Sequence, residues 1–139
     1  MTLSNVRFVL VGATLSYPMA GFPQSGPSSV ERGRYLVNQL GKCGDCHTAR
    51  IKGNPDTKRW LKGSVLDVQP LHPVPEWATA APDLTATSPL WKLWGEKAMV
   101  EFFVTGRGPS GRPAAAPMPV YTITEQDARA IVAYLKSLR

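Results

Sequence analysis

The stretch Cys43-Gly44-Asp45-Cys46-His47 decides how this chain is read. Two thiols three residues apart can each add to a vinyl group on one edge of a haem macrocycle, and the adjacent imidazole then reaches the iron from one face. On this reading Cys43 and Cys46 are thioether anchors, and His47 is the proximal ligand of one covalently held haem c. Two other chemistries use the same spacing. A thioredoxin-like dithiol belongs in a strand-helix-strand setting, which the flanking sequence does not show. A structural zinc site needs four closed ligands, and outside this run the chain offers only His72, with no second C-x-x-C and no H-x-x-x-H.

The residues ahead of the motif suit that chemistry. Met1 to Arg7 carries one positive side chain and no acid, Phe8 to Leu15 is an apolar run, and Ser16 to Gly21 turns small and polar. This patterning reads as a secretory leader cut near Phe22, with residues 22–27 as a linker. The apolar run is shorter than a membrane span and Pro18 breaks it, so an uncleaved leader is the one route to membrane association. Thioether haem of the bacterial type is installed outside the cytoplasm, so a leader ahead of C-x-x-C-H points to the periplasm. With both cysteines committed to haem, no disulfide framework remains.

At 139 residues the chain is one domain's worth. Thirteen prolines and twelve glycines, spread through the middle, indicate long ordered loops joining few helices. Such a chain needs a body to pack around, and a large flat apolar macrocycle supplies one. The formal charge of +6 falls by one when the leader, with Arg7, is removed. The remaining excess suits a docking face for an acidic partner. Scattered basic residues without interleaved aromatics argue against nucleic acid as a partner.

Ser28 and Glu31 make a capping box that starts a helix running to about Leu40, with Val30, Gly33, Val37 and Leu40 on one side and Leu36 beside them. Gly33 inside a helix costs about 1 kcal/mol against alanine, which close approach of another helix would justify. From Thr48 to Ala81 glycines and prolines rule out a helix of ordinary length. This is a loop over haem, with Trp60-Leu61 and Val65-Leu66 as inward anchors and a brief strand pair. Trp60 and Trp77, and Arg107 or Arg112, are candidates to meet a haem propionate, set against ordinary packing and solvation. His72 is the rival distal ligand.

Ser88-Pro89 opens Leu90 to Trp94, and Glu96 to Thr105 is a clearer helix closed by Gly106. Met99, at helical spacing from Phe102 and Phe103, reads as core. Pro117-Met118-Pro119 places a thioether on a stiff loop, which is poor core material and a good soft ligand for iron. Thr124 with Asp127 caps a terminal helix whose inner face carries Ala128, Ile131, Val132, Leu135 and Leu138. Tyr134 and Leu135 can fill the notch left by Gly33.

The order of helix, C-x-x-C-H, proline-rich loop, helix, Pro-Met-Pro and terminal helix resembles class I cytochrome c from about Ser28 to Arg139. More narrowly, Gly33-Arg34-Tyr35-Leu36-Val37, Pro82-Asp83-Leu84-Thr85, Thr105-Gly106-Arg107, Pro117-Met118-Pro119-Val120-Tyr121 and Ile131-Val132-Ala133-Tyr134-Leu135 are similar to bacterial monohaem cytochromes. They are similar also to single modules of the multihaem cytochrome subunits of periplasmic dehydrogenases. The resemblance implies an all-α fold, with three to five helices and long loops wrapped around one covalently attached haem, in a cytochrome c domain at 28–139. It implies Cys43 and Cys46 as attachment residues and His47 and Met118 as axial ligands. It implies one-electron transfer rather than catalysis, between a dehydrogenase or other donor and a respiratory acceptor such as a terminal oxidase. The chain has one haem motif where those subunits have several, which fits a small carrier or a one-haem partner subunit. The alternative is a haem peroxidase or gas sensor with an open distal site.

Overall fold

The computed structural model describes residues 28–139, so the leader (1–21) and linker (22–27) expected from the sequence lie outside the described residues. Helix α1 (Ser29–Tyr35) begins with the expected capping box: Ser28 Oγ accepts from the Glu31 N–H at 3.3 Å, and the Glu31 carboxylate accepts from the Ser28 N–H at 2.9 Å. The last turn, Leu36–Leu40, widens into a π-helix, with the Gly41 N–H donating to the Leu36 carbonyl five residues back at 2.7 Å. The wider turn breaks the α-helical phase. Leu36 and Val37 are buried, but Leu40, expected on the inner face, is 61% exposed.

Helix α4 (Glu125–Ser137) lies against α1 and buries Ala128, Ala130, Ile131, Val132, Tyr134 and Leu135. Gly33 is where the two helices meet. A Cβ there would overlap the backbone carbonyl of Ala130 and sit 2.8 Å from Tyr134 Cβ, so glycine is required for the approach. Tyr134 thus meets Gly33 as the sequence suggests, while Ala130 does most of the filling. Burying the apolar side chains of this pair contributes roughly 1.5–3 kcal/mol for each large one.

A fork-to-fork pair closes the same interface, Arg32 Nε and Nη2 donating to Asp127 Oδ1 and Oδ2 at 2.9 and 3.1 Å. Thr124 Oγ1 caps α4 by accepting from the Asp127 N–H at 3.2 Å. The Asp127 carboxylate pairs with Arg32 while staying close to the Thr124 side chain at the cap. Its bond to Arg32 holds it below the usual carboxylate range. A depressed folded value gives stability that is present above the unfolded value of about 3.9 and is lost as pH falls through the folded one. Asp127→Asn should therefore lower the melting temperature at pH 7, and the gap to the parent should close below about pH 3.9. A gap that persisted unchanged at pH 3 would overturn this role for the carboxylate.

Helix α3 (Pro89–Thr105) starts at Ser88, whose Oγ accepts from the Leu90 N–H, with Pro89 at the first position. It is two helical pieces, as the sequence indicates, joined through Gly95 at φ 71°, ψ 169°. Gly106, at φ 72°, ends it with its N–H on the Phe102 carbonyl at 2.8 Å. Among the described residues two short antiparallel ribbons accompany a mostly helical fold. Strand β1 (Arg50–Ile51) pairs with β2 (Asn54–Pro55), and β3 (Lys62–Val65) pairs with β4 (Ala80–Asp83), Lys62 opposite Asp83 and Ser64 opposite Ala81. Leu61, just before β3, is fully buried, while Val65 at its end is 75% exposed, so of the Val65-Leu66 pair only Leu66 turns inward. Among the described residues no helix is long and apolar enough to cross a membrane.

Candidate functional site: an apolar cavity between two sulfur-bearing loops

Helix α2 (Gly44–His47) is the C-x-x-C-H run itself, a single turn beginning at Cys43. Gly44 has no room for a side chain, because a Cβ would overlap the indole of Trp60. The turn is fixed from β3 on its other side. Ser64 Oγ donates to the Cys46 carbonyl, and the Leu61 N–H donates to Thr48 Oγ1 at 2.9 Å.

These ties leave Cys43, Cys46 and His47 on the wall of a cavity of about 510 Å³. The same wall carries Met118, delivered by the loop that runs from α3 to α4. Its remaining surface is mainly apolar, including Val37, Leu84, Phe102, Phe103, Ile131 and Leu135. The size and lining suit a cofactor-sized apolar group. A flat macrocycle attached at Cys43 and Cys46 fits this site, and among the described residues no group of three or more His, Cys, Asp or Glu is placed to hold a metal ion by itself.

His47 is buried, and its Nδ1 lies 2.8 Å from the Pro82 carbonyl. A carbonyl can only accept, so Nδ1 carries the proton and Nε2 keeps its lone pair, the form in which imidazole ligates. Burial holds the imidazole below its ordinary value, and the Pro82 bond works in the opposite sense. Pro82 is held by its neighbours: Asp83 Oδ1 accepts from the N–H and the hydroxyl of Thr85 at 2.7 and 2.8 Å, and the Leu84 N–H donates to the Leu61 carbonyl at 2.9 Å. The Cys43 thiol is pushed up to about 11 by burial, while Cys46 is exposed at the rim.

Tyr121 connects the two loops. Its hydroxyl donates to the Gly41 carbonyl at 3.2 Å, and its ring lies 6.3 Å from that of Phe103. Burial raises its phenol above the ordinary value, which keeps it a donor. Met118 is thereby held, three residues away, to the segment that enters the C-x-x-C-H turn.

The candidate propionate partners are not on the cavity. Trp60 packs its ring on Gly44, and the Trp77 indole donates to the Val68 carbonyl at 3.2 Å. Arg107 donates to the Gly111 carbonyl and Arg112 to Glu76, in both cases away from the wall. His72 is exposed and does not line the cavity, so the geometry gives no support to a second histidine ligand. The tryptophan on the wall is Trp94, wedged against Gly108 and edge-on to Phe102 at 5.3 Å, and the basic residue on it is Lys42. Trp94 sits just before the Gly95 break, which was the one local signal for its unusual placement. Met99 is buried in the core and forms part of the wall.

A family model described as cytochrome c matches residues 30–139. The chain is 37% identical over 147 residues to a protein of Cereibacter sphaeroides named diheme cytochrome c-type, an alignment covering 95% of this chain and 44% of that one. It is 31% identical over 115 residues to the fructose dehydrogenase cytochrome subunit of Gluconobacter japonicus, covering 77% and 21%. It is also 32% identical over 115 residues to the cytochrome c subunit of the quinone alcohol dehydrogenase of Gluconobacter oxydans, covering 78% and 24%. The chain spans less than half the length of each of these relatives. With the match running from α1 to the last residue, over a fold that gathers a cysteine pair, a histidine and a methionine around one apolar cavity, the chain belongs to the cytochrome c family.

Proposed function

We propose that this chain is a periplasmic electron-transfer protein holding one haem c through thioethers to Cys43 and Cys46, with His47 and Met118 as axial ligands. The observation that carries the reading is that a histidine with its Nδ1 proton committed to Pro82 and a methionine from a separate loop line the same apolar cavity. Haem c, when bound, supplies a one-electron Fe(III)/Fe(II) couple. The chain contributes a neutral imidazole of fixed orientation, a thioether that favours the reduced state, and a wall that excludes water. None of these needs a general acid, base or nucleophile. The single C-x-x-C-H in this chain supports one haem. The leader-like residues 1–21, together with the compartment in which thioether haem is installed, support export. The names of the two Gluconobacter relatives support a dehydrogenase as electron donor.

The decisive measurement is the visible spectrum of the ferric protein, matured with haem, beside Met118→Ala. The weak long-wavelength band of iron bonded to methionine sulfur is expected in the parent and not in the variant. A parent without it removes Met118 from the iron and leads to tests for an open site. Indifference of the ferrous protein to carbon monoxide is expected for the same reason, and rapid binding would favour the sensor or peroxidase alternative.

Tyr121→Phe gives a finer test. It removes one part-buried hydrogen bond between the Met118 loop and Gly41, worth about 1 kcal/mol or a factor of about five. Exogenous imidazole, competing with Met118, should bind the variant about fivefold more tightly while the melting temperature falls by only about 3–6 °C. Equal imidazole affinity in both proteins would show that the tyrosine does not position the loop.

A further inference from the structure

We infer that the excursion from Arg50 to Lys62 is the docking surface for an acidic protein partner, an inference that rests on the electron-transfer reading above. Charge is unevenly placed on this molecule. Arg50, Lys52, Lys58, Arg59 and Lys62 fall within thirteen residues that contain a single carboxylate, Asp56. That carboxylate is occupied locally, accepting from the Lys58 N–H at 3.1 Å to start the short 3-10 turn Thr57–Arg59.

Elsewhere among the described residues ten cations are balanced in number by nine carboxylates, four of them in ion pairs. The ion pairs among the described residues are Arg32 with Asp127, Arg112 with Glu76, Arg129 with Glu125 and Lys136 with Glu96. None involves the excursion, and residues 1–27 contain no Asp or Glu that could neutralise it. The chain therefore leaves most of its net positive charge on one projecting segment, where an acidic surface recovers the unpaired Coulomb energy and gains encounter rate.

The placement connects that surface to the site. The excursion closes on itself at its base, the Asp56 N–H donating to the Ala49 carbonyl at 2.8 Å, and its tip is the turn of β1 and β2 with Ile51 58% exposed. It is fastened to the attachment turn by Trp60 on Gly44 and by Leu61 on Thr48. A partner seated on it lies beside the exposed Cys46. An anionic membrane would meet the same charges. However, interfacial insertion needs an apolar face, and here only Ile51 projects while Trp60 is held against α2.

The test uses the haem-loaded protein, two reversal variants and two anionic probes. Arg50→Glu/Lys52→Glu/Lys58→Glu alters the excursion, and Lys92→Glu/Lys97→Glu/Arg139→Glu changes the total charge equally at exposed positions away from it. The first readout is the rate at which ferrocyanide gives one electron to the ferric protein, leaving ferricyanide and the ferrous protein. The second is the affinity for poly-glutamate. At low salt the excursion variant should lose about tenfold in both, and the control variant less than about twofold, with the difference vanishing at high salt. Equal losses in the two variants would overturn the inference and leave only an effect of net charge. Binding of the parent to vesicles of anionic phospholipid, lost in the excursion variant, would also overturn it in favour of a membrane surface. Failure of the underlying reading would show separately, as a parent without the spectrum of covalently bound, axially ligated haem.

Discussion

Gly33→Ala is expected to lower the stability of the protein by about 3 kcal/mol, although alanine is the better helix former by about 1 kcal/mol. In an isolated helix the substitution would stabilise. Here the added methyl meets the Ala130 carbonyl and Tyr134 Cβ on α4, and backbone does not rotate out of the way as a side chain can. The two helices must separate, which loosens the contacts of Val37, Val132 and Leu135 and displaces the Arg32–Asp127 pair. Thermal unfolding of the haem-loaded variant checks this. An unchanged or raised melting temperature would mean that α1 and α4 do not meet at this point.

The second large effect is expected at Leu61. Its side chain is fully buried, so Leu61→Ala should cost about 3 kcal/mol. Its backbone is also unusual, with φ at +58°, a region that side chains with a Cβ disfavour by roughly 1–2 kcal/mol. Leu61→Gly should for that reason be more stable than Leu61→Ala, a reversal of the usual order. The expected reversal belongs to the position, because its N–H and carbonyl tie Thr48 of the attachment segment to Leu84, beside the Pro82 carbonyl that holds His47. If His47 ligates the iron as proposed, both variants should also shift the reduction potential. Denaturant midpoints in the order Ala above Gly would show that the left-handed backbone is not retained.

What was legible in the sequence was local. The caps at Ser28, Ser88 and Thr124, the stop at Gly106 and the break near Gly95 are each set within four residues, and each stands where the sequence places it. The motif residues and Met118, which the structure brings to one cavity wall, stand out in the sequence because their chemistry is scarce in this chain, with two cysteines and two histidines in all. Trp94 was not identifiable, because four tryptophans differ only in where long loops carry them. The two in the proline-rich loop were candidates on proximity in sequence, and both are spent on Gly44 and Val68. Leu40 was misplaced for a related reason. Whether the last turn closes at four residues or five depends on what Gly41 and Tyr121 do beyond the helix, and periodicity inside it carries no trace of that.

The wall of the cavity is also the hydrophobic core: Val37, Leu84, Met99, Phe102, Phe103, Ile131 and Leu135 belong to both. Shaving any of them for the sake of stability analysis alters the dielectric and water access of the redox centre as well. A survey of melting temperatures and a survey of reduction potentials across this chain should therefore single out largely the same positions, and selection acting on one property will be felt in the other.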